Sequence, residues 1–116
     1  MIIFKIMKQY VIDEIRFEDY EKIRAYFDKK FDSCAIDGVY WLALDPAVLN
    51  KTQAGHLKCR PFYFVMELEP TRISCELLVR TRNSVRCDCM GYATDEQFLW
   101  LVRKTDIMLD ELDIKI

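Results

Sequence analysis

The chain has one histidine, His56, and it stands three residues before Cys59. A second pair, Cys87 and Cys89, follows after a hairpin-like stretch, so one imidazole and three thiols form a candidate metal set. Imidazole and thiolate are the donors that zinc takes in structural sites, where four of them complete a tetrahedron. The spacing itself is a weak signal, because neither half has the Cys-x-x-Cys form of a zinc knuckle. The sequence carries no glycine-rich phosphate loop, nucleophile elbow or His-Glu-x-x-His helix. Its carboxylates, among them Asp13 and Glu14, Glu18 and Asp19, and Asp110 and Glu111, look like solvated faces or helix ends rather than an acid and base pair.

Whether the four ligands can meet depends on the elements that carry them. With 116 residues, 52% of them hydrophobic, the chain is long enough for one domain with its own core. Seventeen Lys and Arg against nineteen Asp and Glu give a net charge of −2, which offers no bulk attraction to nucleic acid or to an anionic membrane. The apolar opening is interrupted by Lys5 and Lys8 and has neither the length nor the cleavage site of a secretory signal, so a cytoplasmic location without membrane contact is expected. Five cysteines at irregular positions, 34, 59, 75, 87 and 89, then read as reduced thiols.

Residues 2–11 are rich in Ile, Phe, Tyr and Val and predict a first strand. From Phe17 to Phe31 the period becomes helical, through Tyr20, Ile23, Phe27 and Phe31, with acidic residues in the first turn and lysines in the last. Asp37-Gly38 marks a turn into a strand over 39–44, and Asp45-Pro46 starts a short helix that breaks near Asn50. Thr52 is the expected cap of a further turn reaching His56. Strands are predicted over 61–69, 72–82 and 85–92, followed by a helix over 94–112 that opens on the capping box Thr94 to Gln97. The predicted fold is α+β in the order βαβαβββα, an antiparallel or mixed sheet with helices packed mainly on one face. Its core should include Phe27, Phe31, Phe64, Leu77, Leu101 and Leu109.

The hairpin registers then test the metal set. A two-residue loop at Pro70-Thr71 places Phe62, Phe64, Met66 and Leu68 opposite Val79, Leu77, Cys75 and Ile73, an apolar face throughout. A three-residue loop at 82–84 continues that face by setting Cys87 opposite Val79 and Cys89 opposite Leu77, whereas a shorter loop would bring Arg86 and Asp88 onto the buried side. On this register Cys59 lies roughly 14 Å from Cys87, while two thiolates on one zinc limit their Cα separation to roughly 9 Å. The tetrad closes only if the third strand crosses over, if residues 56–60 fold back sharply, or if two chains share the ion. The favoured expectation is therefore no metal and no cofactor. His56 becomes a solvent-side residue at a helix end, and Cys75, Cys87 and Cys89 become small core residues that resist thiol reagents until unfolding.

The opposite sheet face is cationic at one end. Arg80 falls opposite Arg86 on the expected register, with Arg60 and Arg82 close by, and stacked like charges call for an anion. These four arginines are the candidate ligand-binding residues for a phosphate or nucleic acid, a reading less favoured than plain solvation. Trp100 and Ile107 form a second apolar stripe on the last helix and suggest a homo-oligomer or a protein partner. The stretches His56-Leu57-Lys58-Cys59-Arg60-Pro61 and Arg86-Cys87-Asp88-Cys89-Met90-Gly91-Tyr92-Ala93-Thr94 resemble a group of short bacterial proteins with no assigned activity. The resemblance covers most of the chain and implies no reaction. The functional expectation is a small non-catalytic domain that works by association, with the anion face and the zinc module as alternatives.

Overall fold

The computed structural model describes residues 8–33, 36–82 and 87–115. Among these residues seven strands, β1 (Gln9–Ile12), β2 (Asp32–Ser33), β3 (Val39–Ala43), β4 (Phe62–Glu69), β5 (Arg72–Glu76), β6 (Leu78–Thr81) and β7 (Gly91–Tyr92), form one antiparallel sheet. Its main path runs β1-β5-β4-β3-β2, with β6 also pairing to β4 and β7 completing the corner on β6. The helices are α1 (Phe17–Lys30), α2 (Lys51–Gly55) and α3 (Asp95–Glu111), and 3-10 turns occupy Pro46–Val48 and Leu57–Cys59. This is the expected α+β arrangement. None of these helices is long and apolar enough to cross a membrane.

Local chemistry explains most boundaries. Helix α1 has Glu18 and Asp19 in its first turn and Lys29 and Lys30 in its last, each at the favourable end of the helix dipole. Thr94 and Gln97 make the expected reciprocal cap on α3. Helix α2 is capped two residues earlier than expected, by Asn50 and not Thr52: the Asn50 side chain accepts from the Gln53 N–H while the Gln53 side chain accepts from the Asn50 N–H. Gly38 adopts φ +81°, and a Cβ there would meet the Leu68 carbonyl at 3.0 Å, so the Asp37-Gly38 turn needs glycine twice over. The strand predicted from Ile2 begins at Gln9 among the described residues, and the earlier part lies outside them.

The first hairpin has the predicted register, with Glu69 facing Arg72 and Met66 facing Cys75. The second half does not. Residues 64 and 65 lie between the pairs Tyr63–Arg80 and Met66–Cys75, against residues 76–79 on the other strand, so two extra residues are inserted. The insertion centres on Leu77, whose N–H donates to the Lys8 carbonyl and whose carbonyl accepts from Ala93. This bulge ends β5, restarts the chain as β6 and leaves Leu77 only partly buried.

Phe27, Phe64, Leu101 and Leu109 are buried as expected, together with Ile23, Met66, Ile73 and Cys75. Phe31 is only partly buried at the rim. Trp100 stacks on Phe64 at a centroid separation of 6.3 Å, and Phe27 meets Tyr40 edge-on, so α1 and α3 both pack on the Phe64 face. The other face is less open than alternation implies. Tyr63 is buried there against Trp41, with the Arg82 guanidinium over both rings.

Candidate metal centre

Both halves of the His/Cys set leave the sheet. After α2 the chain turns at His56, whose N–H donates to the Gln53 carbonyl at 3.1 Å, and the Cys59 N–H donates back to the His56 carbonyl at 3.0 Å. Residues 56–60 thus fold back in tight helical turns before β4 begins at Phe62. The second half is also a turn, closed by the Met90 N–H on the Cys87 carbonyl at 3.1 Å. Beyond it Val79 faces Gly91, four residues later than the expected partner Cys87. Among the described residues the strand predicted over 85–92 is reduced to Gly91–Tyr92, and Cys87 and Cys89 project from the turn that precedes it; residues 85 and 86 lie outside the described residues. Thr81, at the end of β6, donates its hydroxyl hydrogen bond to the Cys59 carbonyl and ties the first half to that strand.

The expected separation of the tetrad is thereby overturned. His56 Nδ1 lies 3.1 Å from Cys87 Sγ, Cys59 Sγ lies 4.0 Å from Cys87 Sγ, and the four donor atoms of His56, Cys59, Cys87 and Cys89 all fall within 4.8 Å of one another. A tetrahedron with Zn–S bonds of about 2.3 Å has edges of about 3.8 Å. The tetrad has the size of a single-ion cage; an iron–sulfur cluster, with several metal atoms between its ligands, needs a wider one. Cys89 is buried, while His56, Cys59 and Cys87 are half-buried. His56 is thus a member of the cluster rather than the isolated solvent-side residue expected at a helix end.

Burial dominates the electrostatics of the innermost thiol. Burial, followed by hydrogen bonds with the Cys87 and Cys59 thiols, pushes the Cys89 thiol up to about 12. A thiol that burial keeps protonated serves as a metal ligand only when the incoming ion displaces its proton. With Nδ1 facing the thiols, the His56 Nε2 side faces Asp88 Oδ1 at 3.8 Å.

Each described candidate arginine has a partner within the chain. Arg80 donates to Glu76 at 2.7 Å, Arg82 pairs with Asp32 at 3.3 Å, and Arg60 donates to the Ala54 carbonyl at 3.1 Å. Arg86 lies outside the described residues. The counter-charge sought for Arg80 is thus supplied by Glu76 of the same chain.

Sequence reasoning missed Gln53 and Gln97. Both are fully buried, and the amide of Gln97 donates to Gln53 Oε1 at 2.8 Å. The Asn50-to-Gln53 capping pattern was the available signal for the first, but nothing in helical periodicity announces that a capping glutamine faces inward. The buried stripe of α3 accordingly starts at Gln97 and runs through Leu101, Thr105 and Met108, while Phe98 lies at the surface.

Thiol accessibility separates the cysteines. Burial alone pushes Cys75 up to about 12, so it should resist alkylation in the native protein. Cys87, expected to be equally protected, is half-buried beside Cys59. Alkylation followed by peptide mass spectrometry should label Cys59 and Cys87 in chelator-treated protein, spare both when zinc is present, and spare Cys75 in either case. Equal labelling of Cys59 and Cys87 with and without zinc would contradict the site. No family model, curated protein or solved structure matches the chain.

Proposed function

We propose that the chain is a small zinc-binding domain in which His56, Cys59, Cys87 and Cys89 hold one ion. The supporting observation is the convergence of four donor atoms, from two turns far apart in sequence, within 4.8 Å. All four corners of the tetrahedron come from the protein, which leaves no coordination position for a substrate and makes the centre structural rather than hydrolytic. The ion joins the turn before β4 to the turn before β7 and so closes the corner of the sheet. Purified protein reconstituted with zinc should contain one ion per chain by elemental analysis, and Cys89→Ser should lose it. Cobalt in its place should give the intense absorption of a tetrahedral thiolate site. Failure of the wild-type chain to retain zinc after reconstitution and desalting would refute the reading.

A second reading, association with another copy or a protein partner, is supported by α3. Leu99 and Ile107 are 50% and 57% exposed and flank half-buried Trp100 in a shallow groove with Val48. Light scattering tests it: a monomer at high concentration whose state is unchanged by Ile107→Glu removes self-association.

A further inference from the structure

Gln53 touches both halves of the tetrad. Its backbone carbonyl accepts from the His56 N–H at 3.1 Å, and its side-chain Nε2 donates to the Cys89 carbonyl at 3.2 Å. One residue thus holds a ligand from the first turn and a ligand from the second. The side chain is 1% exposed, so no water competes for these bonds.

The amide has little freedom to turn. Its Oε1 accepts from the Asn50 N–H at 3.2 Å and from Gln97 Nε2 at 2.8 Å, which leaves Nε2 as the end directed at Cys89. Gln97 is in turn fixed by its own second donation, to the Val48 carbonyl at 3.0 Å, and by the capping bond from the Thr94 N–H to its Oε1 at 3.1 Å. Two capping glutamines, one from α2 and one from α3, therefore meet in the core and form a chain of hydrogen bonds from the first turn of α3 to the backbone of a candidate ligand. Ordinary capping requires neither burial nor mutual contact, so the caps alone do not account for the pair.

We propose that Gln53 is the positioning residue of the metal centre, holding His56 and Cys89 at ligand distance, and that Gln97 carries metal occupancy to the N-terminal turn of α3. The proposal rests on the zinc reading above. Outer partners that orient metal ligands commonly contribute 10- to 100-fold in affinity, because a ligand free to turn must be reordered each time the ion binds.

Zinc affinity of the whole chain, measured by competition with a chromophoric chelator, should fall 10- to 100-fold in Gln53→Met. The cobalt spectrum of that variant should shift as the ligand geometry loosens. Ile73→Val, a mild core change in a residue that is fully buried in the sheet, should leave both unchanged and separates positioning from general loss of stability. Should Gln53→Met not fold, hydrogen exchange on the wild-type chain decides: chelation should speed exchange of the Gln97 and Phe98 amides more than that of the β4 amides. Wild-type zinc binding with normal affinity and spectrum in Gln53→Met, or with α3 exchange indifferent to chelation, overturns this proposal and leaves the zinc reading intact. Loss of zinc binding in the wild type itself defeats the zinc reading first.

Discussion

Zinc-loaded protein should melt roughly 15 °C above the same protein in chelator when free zinc stands about a thousandfold over its dissociation constant. Mass action gives about 4 kcal/mol at that ratio if the ion binds only the folded chain, and a domain of this size shifts by roughly 4 °C per kcal/mol. The direction follows from the site. Its ligands lie on two turns that are far apart in the unfolded chain, so a preformed cage exists only after β4, β6 and β7 have assembled. The metal-free chain should nevertheless keep its sheet, because the buried set around Ile23, Phe27, Phe64, Met66, Ile73 and Leu101 draws only Cys89 from the tetrad. Calorimetry and far-ultraviolet dichroism together give the check: a lower transition with preserved secondary structure after chelation. Coincident melting curves with and without zinc would mean that the tetrad does not bind the ion in the folded state.

Much of the architecture was legible because several signals agreed on the same elements. Period, terminal charge and capping coincided for α1 and α3, and alternating apolar residues with a tight Pro70-Thr71 turn set the β4–β5 register. The donor set was equally visible as residue types. Its geometry was hidden by two backbone events that side-chain alternation does not report. Leu77 is apolar and sits where alternation wants an apolar residue, yet it occupies a bulge whose backbone groups bond Lys8 and Ala93. Cys87 and Cys89 have strand spacing, but that spacing also suits two ligands projecting from one turn. A register estimate that treats every alternating stretch as straight strand therefore places the thiols in the sheet and separates them from Cys59. The clue to the alternative was chemical: a histidine and three cysteines in a chain with only one histidine.

Phe64→Ala should lower the stability of the domain by about 3–5 kcal/mol, and so the melting temperature by roughly 12–20 °C. Phe64 lies on β4, which pairs with β3, β5 and β6, and its side chain is fully buried. It faces Leu42 across the β3–β4 ladder and carries the indole of Trp100, so truncation removes packing from the sheet and from α3 at once. A loss of this size is a large share of the 5–15 kcal/mol by which folded domains are ordinarily stable, and it exceeds what exposed ion pairs such as Arg24 with Asp37 contribute. The indole offers a local measure of the same change, since Trp100 loses its stacking partner and its emission should move toward that of solvated tryptophan. Chemical denaturation of the zinc-loaded and chelated variants separates core from centre. If the Phe64 and zinc effects add, the hydrophobic core and the metal site stabilise the fold independently. A loss below about 1 kcal/mol would instead show that Trp100 closes over the gap and that α3 is not held by Phe64.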